Sequence, residues 1–317
     1  MFQIRGSARK GLGAFATQNI SAGTVILRER PILQLPNLLW TSPDTPVPCS
    51  VLMHAYDDLD ERQRSQVKAL HAHLPSAQCL TGVIKMVEFI TTRRLHTTNI
   101  SRVEYVELMF IMSTNQWKNS RPELDVSGLY LQLSRFNHSC VANTISHEVP
   151  SADGSQVRVV QARTDIQAGE EITVEYIRPW TENRAVALRQ TWGFDCRCPL
   201  CDTSEDSTMD HATRVQYERM FQQMRDNDEE AFQGTASTTE QIITRHQQRV
   251  EALEFLGYSN ELLNEYSRGV TLYVDSGDYK KLDEFWRNLY RVMTIVCDEN
   301  DPYRLALQQE FSERIRS

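Results

Sequence analysis

The hexapeptide "CRCPLC", Cys196 to Cys201, constrains this chain more than any other stretch. Three thiols within six residues imply a shared use, either disulfide or metal. The chain holds seven cysteines, an odd number, and its opening "MFQIRGSARKGLGAF" lacks the long apolar core of a secretory leader. Both features argue against a disulfide framework. Zinc is the expected use, because it takes four tetrahedral ligands and binds thiolates well. C-x-C-x-x-C supplies three ligands, so the fourth must come from elsewhere. Cys140 is the candidate, lying beside the Asn-His-Ser run of "RFNHSCVANT". Cys49, Cys79 and Cys297 fall in a loop, a helical stretch and an apolar helix face, and read as buried or incidental. The competing reading of Cys196–Cys201 is a turn with three free thiols.

A length of 317 residues allows one large domain or two ordinary ones. No segment approaches the roughly 20 apolar residues needed to span a bilayer. An intracellular protein, nuclear and/or cytoplasmic, without a membrane partner is therefore expected. Net charge is −8, unevenly placed: from Asp202 onward there are 23 acidic and 13 basic residues. That balance disfavours direct nucleic-acid binding through phosphates and is compatible with a basic peptide, although solvated helix faces explain it as well.

Residues 1–35 read as strands and turns. The prolines from Pro36 to Pro48 predict a loop. "YDDLDERQRSQVKALHAHL", "GVIKMVEFITTRRLHT" and "SRVEYVELMFIMSTNQW" read as helices. β character returns at "QVRVVQARTDIQAGEEITVEYI", whose "DIQAGEEITV" echoes the earlier "NISAGTVIL". The echo is too short to count as a repeat. Beyond the polar "CDTSEDSTMD", apolar stripes at Leu262, Leu263, Tyr266, Val270, Tyr273 and Val274, and at Phe285, Leu289, Val292 and Val296, predict helical hairpins with a tetratricopeptide-like flavour. Gly257 and Gly277 are the expected caps.

Four stretches together resemble the SET-domain protein lysine methyltransferases. "KGLGAFAT" resembles that family's N-terminal Gly-x-Gly segment. "RFNHSC" resembles its Asn-His-Ser-Cys motif. "GEEITVEYI" resembles the stretch ending in its catalytic tyrosine, and "CRCPLC" its post-SET zinc motif. The subgroup most similar is the SET- and MYND-domain proteins and their fungal-type relatives. The insert holds only Cys49 and Cys79, too few for a MYND zinc module, and Ala142 stands where many relatives have Pro. The resemblance implies an α+β fold: a β-rich SET domain of short strands in two parts (1–35 and 114–180), a helical insert (36–113), a zinc-bound post-SET segment (181–205) and an all-helical C-terminal region (206–317) forming one wall of the substrate cleft.

The activity implied is methyl transfer from S-adenosylmethionine to a lysine amine of a protein, histone or non-histone, by a monomer. A non-catalytic SET-fold scaffold and a small-molecule amine methyltransferase are the alternatives. Tyr176 is the expected catalytic residue; its phenol positions the amine and is no obvious base at neutral pH. Cofactor contacts are expected from Lys10 (or Arg9), Gly11, Gly13, Asn115, Ser134, Asn137, His138, Tyr176 and Phe194, with Trp192 the alternative aromatic. One structural zinc is expected on Cys140, Cys196, Cys198 and Cys201. Tyr130 is a candidate for the lysine channel. Glu170 and Glu171 read as turn residues and Glu175 as a solvent-facing strand position.

Overall fold

The computed structural model describes residues 1–7, 10–36, 47–73, 81, 84–85, 88, 92, 100–118, 126–150, 156–204, 207–233, 238–296 and 304–309. The chain divides into two compact units, Met1–Ile177 with Asn183–Cys198, and Arg178–Glu182 with Pro199–Ser317.

Short strands build the first unit: β1 (Phe2–Ser7), β2 (Gly11–Ala16), β3 (Val25–Glu29), β4 (Leu33–Pro36), β5 (Gln116–Lys118), β6 (Val126–Leu129), β7 (Asn137–His138), β8 (Thr144–Pro150), β9 (Gln156–Ala162) and β10 (Glu171–Val174). They form three sheets, ordered β1-β2-β10-β7, β3-β9-β8 and β4-β6-β5. All pairings are antiparallel except β10 with β7, which aligns Thr173 with Asn137 and Val174 with His138.

The echo seen in the sequence is a structural pair. "ATQNISAG" (Ala16–Gly23) and "ARTDIQAG" (Ala162–Gly169) face each other about a local two-fold axis. Ile20 and Ile166 exchange both backbone hydrogen bonds at 2.8 Å. Gly23 N–H donates to the Ala162 carbonyl and Gly169 N–H to that of Ala16, each at 2.8 Å. The side chains repeat the exchange: Asn19 Oδ1 accepts from Ala168 N–H at 2.9 Å, and Asp165 Oδ1 from Ala22 N–H at 2.8 Å. Gly23 and Gly169 sit at φ +84° and +87°, a region strained for any residue with a Cβ. The strand before each turn pairs with the strand after the other, β2 with β10 and β9 with β3.

Around this axis lies one apolar cluster, including Ala14, Ile20, Phe136, Val160, Ile166 and Val174. Phe136 is fully buried, a burial contributing about 1.5–3 kcal/mol. A second cluster joins Leu33, Leu35, Leu129 and three helices: α1 (Val47–Asp57), α2 (Glu61–Lys68) and α3 (Arg102–Asn115). The continuous helix expected over Tyr56–Leu74 is instead split. Tyr56 and Asp57 end α1, and Asp60 caps α2 in a reciprocal capping box with Gln63. Of the loop expected over Pro36–Pro48, Pro36 ends β4, residues 37–46 lie outside the described residues, and α1 opens at Val47 with Pro48 in its first turn, where its missing N–H is not needed. Helix α3 starts at the Ser101 cap and stops at Asn115, so Gln116 and Trp117 belong to a strand rather than to the helix expected there. Most of "GVIKMVEFITTRRLHT" lies outside the described residues. Helix α4 (Arg184–Trp192) ends at Gly193, φ +78°.

In the second unit α5 (His211–Gln233), α6 (Thr239–Leu256), α7 (Ser259–Ser276) and α8 (Tyr279–Val296) pack each on the next. Gly257 and Gly277 cap α6 and α7 in the left-handed conformation, as their positions imply. Leu262, Tyr266, Tyr273, Phe285, Leu289 and Val292 are buried. Val274 is not; it lies 49% exposed, off the α7 stripe by one position. No described helix is long and apolar enough to cross a membrane.

Candidate active site

Tyr176 follows β10 by two residues and is held at both ends. Its backbone N–H donates to Nδ1 of His138 at 3.1 Å, and its hydroxyl donates to the Phe136 carbonyl at 2.9 Å. The parallel pairing of β10 with β7 makes both contacts possible, because it sets Phe136 to His138 beside the end of the tyrosine strand. Burial, with the nearby Glu171 carboxylate, pushes the Tyr176 phenol well above its usual range. The shift favours the neutral phenol, and the hydroxyl is fixed by its bond to Phe136. Since Nδ1 of His138 accepts a hydrogen bond, the proton of the neutral ring sits on Nε2. Nε2 lies 3.4 Å from Cys140 Sγ and donates to it.

Aromatic rings surround the phenol. Trp192 is 5.3 Å from it between ring centroids, Trp117 6.1 Å and edge-on, Phe194 6.3 Å, and His138 5.4 Å. Phe194 is also 6.0 Å from His138. Phe194, the expected aromatic before the cysteine cluster, thus lies beside Tyr176 and His138, and the alternative, Trp192, lies beside Tyr176. The Trp192 indole N–H donates to the Thr114 carbonyl at 2.8 Å. Sequence reasoning missed Trp117; its adjacency to Asn115 was the available signal.

A polar network borders the ring group. Asn137 Nδ2 donates to the Leu12 carbonyl at 3.1 Å and to Glu171 Oε1 at 2.8 Å, while Lys10 Nζ meets Glu171 Oε2 at 3.1 Å. Burial raises the Glu171 pKa, but hydrogen bonds from Asn137 and Ser7 and the charge of Lys10 outweigh it, leaving the carboxyl below its ordinary value. Glu171, expected in a turn, opens β10 and joins two predicted cofactor residues. Gly13 makes room for this network, since a Cβ there would lie 2.5 Å from Glu171 Oε1 and 2.8 Å from Asn137 Nδ2. Gly11 is different: its φ is +72° and a Cβ would meet nothing within 4 Å.

Other candidates are placed less directly. Both Asn115 Nδ2 hydrogens are engaged, by the carbonyls of His71 at 2.6 Å and Ile111 at 2.8 Å. Ser134 Oγ turns back to the Tyr130 carbonyl at 2.5 Å. Tyr130 is buried in the core, its hydroxyl 3.2 Å from Glu148 and its pKa pushed by burial up to about 12. Glu175 is not solvent-facing; it forms a largely buried ion pair with Arg163 at 2.8 Å. Arg9, Cys79 and Cys297 lie outside the described residues.

The sulfurs of Cys140, Cys196, Cys198 and Cys201 all lie within 4.8 Å of one another, and those of Cys140 and Cys196 are 4.0 Å apart. Zinc–sulfur bonds of about 2.3 Å in a tetrahedron set sulfurs roughly 3.8 Å apart. The donor set therefore fits a metal ion, with thiolate chemistry suited to zinc.

A family model described as "SET domain" matches residues 11–177. The chain is 37% identical over 124 residues to histone-lysine N-methyltransferase SET5 of Scheffersomyces stipitis, covering 37% of this chain and 23% of that one. It is 35% identical over 85 residues to protein-lysine N-trimethyltransferase SMYD5 of Gallus gallus, covering 25% and 20%. The similarity to these two thus spans under a quarter of the length of each. A putative SET domain-containing protein, L678 of Acanthamoeba polyphaga mimivirus, is 24% identical over 223 residues, covering 67% of this chain and 82% of that one. The solved SET domain of LSMT bound to lysine and AdoHcy aligns at a TM-score of 0.42 and 14% identity, over 97% of this chain and 85% of that chain. With the family model spanning more than half of its residues, the chain belongs to the SET domain family.

Proposed function

We propose that this chain transfers methyl groups from S-adenosylmethionine to a lysine side-chain amine of a protein. The observation that carries this is the Tyr176 hydroxyl, pinned to the Phe136 carbonyl within the rings of Trp117, Trp192, Phe194 and His138. When bound, S-adenosylmethionine supplies a methyl group activated by a sulfonium. The residues present fit it: the amide of Asn137 on β7, and the half-buried Phe194 ring as a stacking face.

A lysine ammonium has no lone pair, so the attacking amine must be neutral, against a free pKa of about 10.4. Rings that exclude water disfavour the charged form. Tyr176 then orients the amine and, kept protonated by burial, takes no proton from it. Its oxygen can accept weak C–H···O contacts along the line of displacement. Lys10 and Asn137, tied to Glu171, line the same strand edge as Gly11 and Gly13 and are the proposed cofactor-facing polar groups. Cys140, Cys196, Cys198 and Cys201 would hold one structural zinc, which would fasten the Phe194 segment beside His138. The names of the fungal relatives make histones the first substrate to test and the nucleus the place to look.

The test uses tritiated S-adenosylmethionine with core histones and with a mixed cell extract. Labelling that falls about 100-fold in Tyr176→Phe, with cofactor affinity kept, supports the reading. No labelling of either by the wild-type protein refutes it. Metal analysis of the purified chain should give about one zinc, lost in Cys196→Ser.

A further inference from the structure

Arg158 lies on β9, opposite Glu148 on β8 and Glu29 on β3. It is only 5% exposed. One terminal nitrogen, Nη2, donates to Glu148 Oε1 at 2.8 Å and to the Lys118 carbonyl at 2.7 Å; the other, Nη1, reaches Ser146 Oγ at 3.4 Å. Its Nε is buried without a hydrogen-bond partner among the described residues. The guanidinium carbon sits 5.2 Å from the Trp117 ring centre and 5.5 Å from that of Tyr130. Trp117 in turn stands edge-on to Tyr176 at 6.1 Å.

We propose that Arg158 is a positioning residue that sets Trp117 against Tyr176 and so shapes the amine pocket. A buried charge costs several kcal/mol to desolvate and rarely repays this in stability alone. Here the same guanidinium ties the carbonyl of β5 to the β8–β9 pair and lies against the indole of that strand. Strand β5 has only three residues, so it has few other means of fixing the ring. The cation–π contact holds the indole in place, and the planar fork fixes the strand beneath it. Tyr130, whose hydroxyl also meets Glu148, lies against the same guanidinium. This inference rests on the methyl-transfer reading for its catalytic consequence, but not for the contact itself.

The experiment labels the full chain with 5-fluorotryptophan and assigns the Trp117 resonance by its loss in Trp117→Phe. In Arg158→Met that resonance should shift, and kcat on core histones should fall about tenfold or more with the KM for S-adenosylmethionine within about twofold. Arg158→Lys keeps the charge but not the fork, so it should fall between; it carries the test if Arg158→Met does not fold. An unmoved Trp117 resonance, or a kcat within about twofold of wild type in a folded variant, overturns the proposal. A wild-type protein that labels nothing, with the resonance still moved by Arg158→Met, sinks the methyl-transfer reading and leaves the Arg158–Trp117 coupling established.

Discussion

The backbone N–H of Tyr176 donates to Nδ1 of His138 at 3.1 Å, so the far nitrogen of the same ring carries the proton that faces Cys140 at 3.4 Å. One imidazole therefore connects the tyrosine strand to the thiol cluster. Removing a group that orients a metal ligand typically costs 10–100-fold in metal affinity. His138→Ala should weaken zinc retention by about that factor and lower methyl transfer as well, since the Tyr176 strand loses its acceptor. Zinc competition with a chromophoric chelator measures the first effect. Unchanged zinc affinity would show that Cys140 needs no support from the ring.

Gly11 and Gly13 should respond differently to alanine. At Gly11 the cost is conformational: φ +72° strains an L residue by roughly 1–2 kcal/mol, with no clash nearby. Gly11→Ala should lower thermal stability and leave cofactor affinity close to wild type. At Gly13 the new methyl would collide with Glu171 Oε1 and Asn137 Nδ2. Gly13→Ala should therefore weaken cofactor binding about tenfold or more, as read by calorimetry. Equal cofactor affinities in the two variants would contradict this division of roles.

The Glu171 carboxyl titrates below its ordinary 4.5 in the folded chain, through Asn137, Ser7 and Lys10 acting against burial. A depressed carboxylate pKa contributes stability that is complete above the unfolded value and is lost as pH falls through the folded one. The stability gap between wild type and Glu171→Gln should be constant above about pH 5.5 and should shrink as pH falls through and below 4.5. Denaturant titrations across that range check it. A gap independent of pH would mean that the carboxylate's charge has no part in the network.

The local two-fold axis makes Asn19 and Asp165 equivalent, each accepting one N–H from the other turn. Asn19→Ala and Asp165→Ala should each cost about 0.5–1.5 kcal/mol, with the charged acceptor at the upper end. Because both caps brace the same Ile20–Ile166 bridge, the double variant should depart from additivity. Strict additivity in urea unfolding would show that the two turns act independently.

The site was legible wherever chemistry sits close together along the chain. Cys196, Cys198 and Cys201 raise the expectation of a metal by spacing alone, and Asn137, His138 and Tyr176 are candidates from short motifs that resemble those of the SET family. The four sulfurs do gather. What escaped the sequence was long-range. Glu171 was read as a turn residue, yet it opens a strand and pairs with Asn137 and Lys10. Glu175 was read as solvent-facing, yet it pairs with Arg163. Alternation along a strand tells which residues share a face, but not whether that face meets water or another part of the chain. Trp117 was read as the end of a helix because the helical pattern of "SRVEYVELMFIMSTNQW" runs into it, although its strand partner, Gly128, follows after a short connection.

By itself the sequence determined the close spacing of Cys196, Cys198 and Cys201, the glycines that end α6 and α7, and the turns at Gly23 and Gly169, since each depends on neighbours a few bonds away. Only the tertiary structure decided that those two turns embrace, that β10 runs parallel to β7, and that Arg158 reaches Trp117 beside Tyr176. Such contacts follow from strand register and close packing among distant segments, and many local sequences are compatible with them.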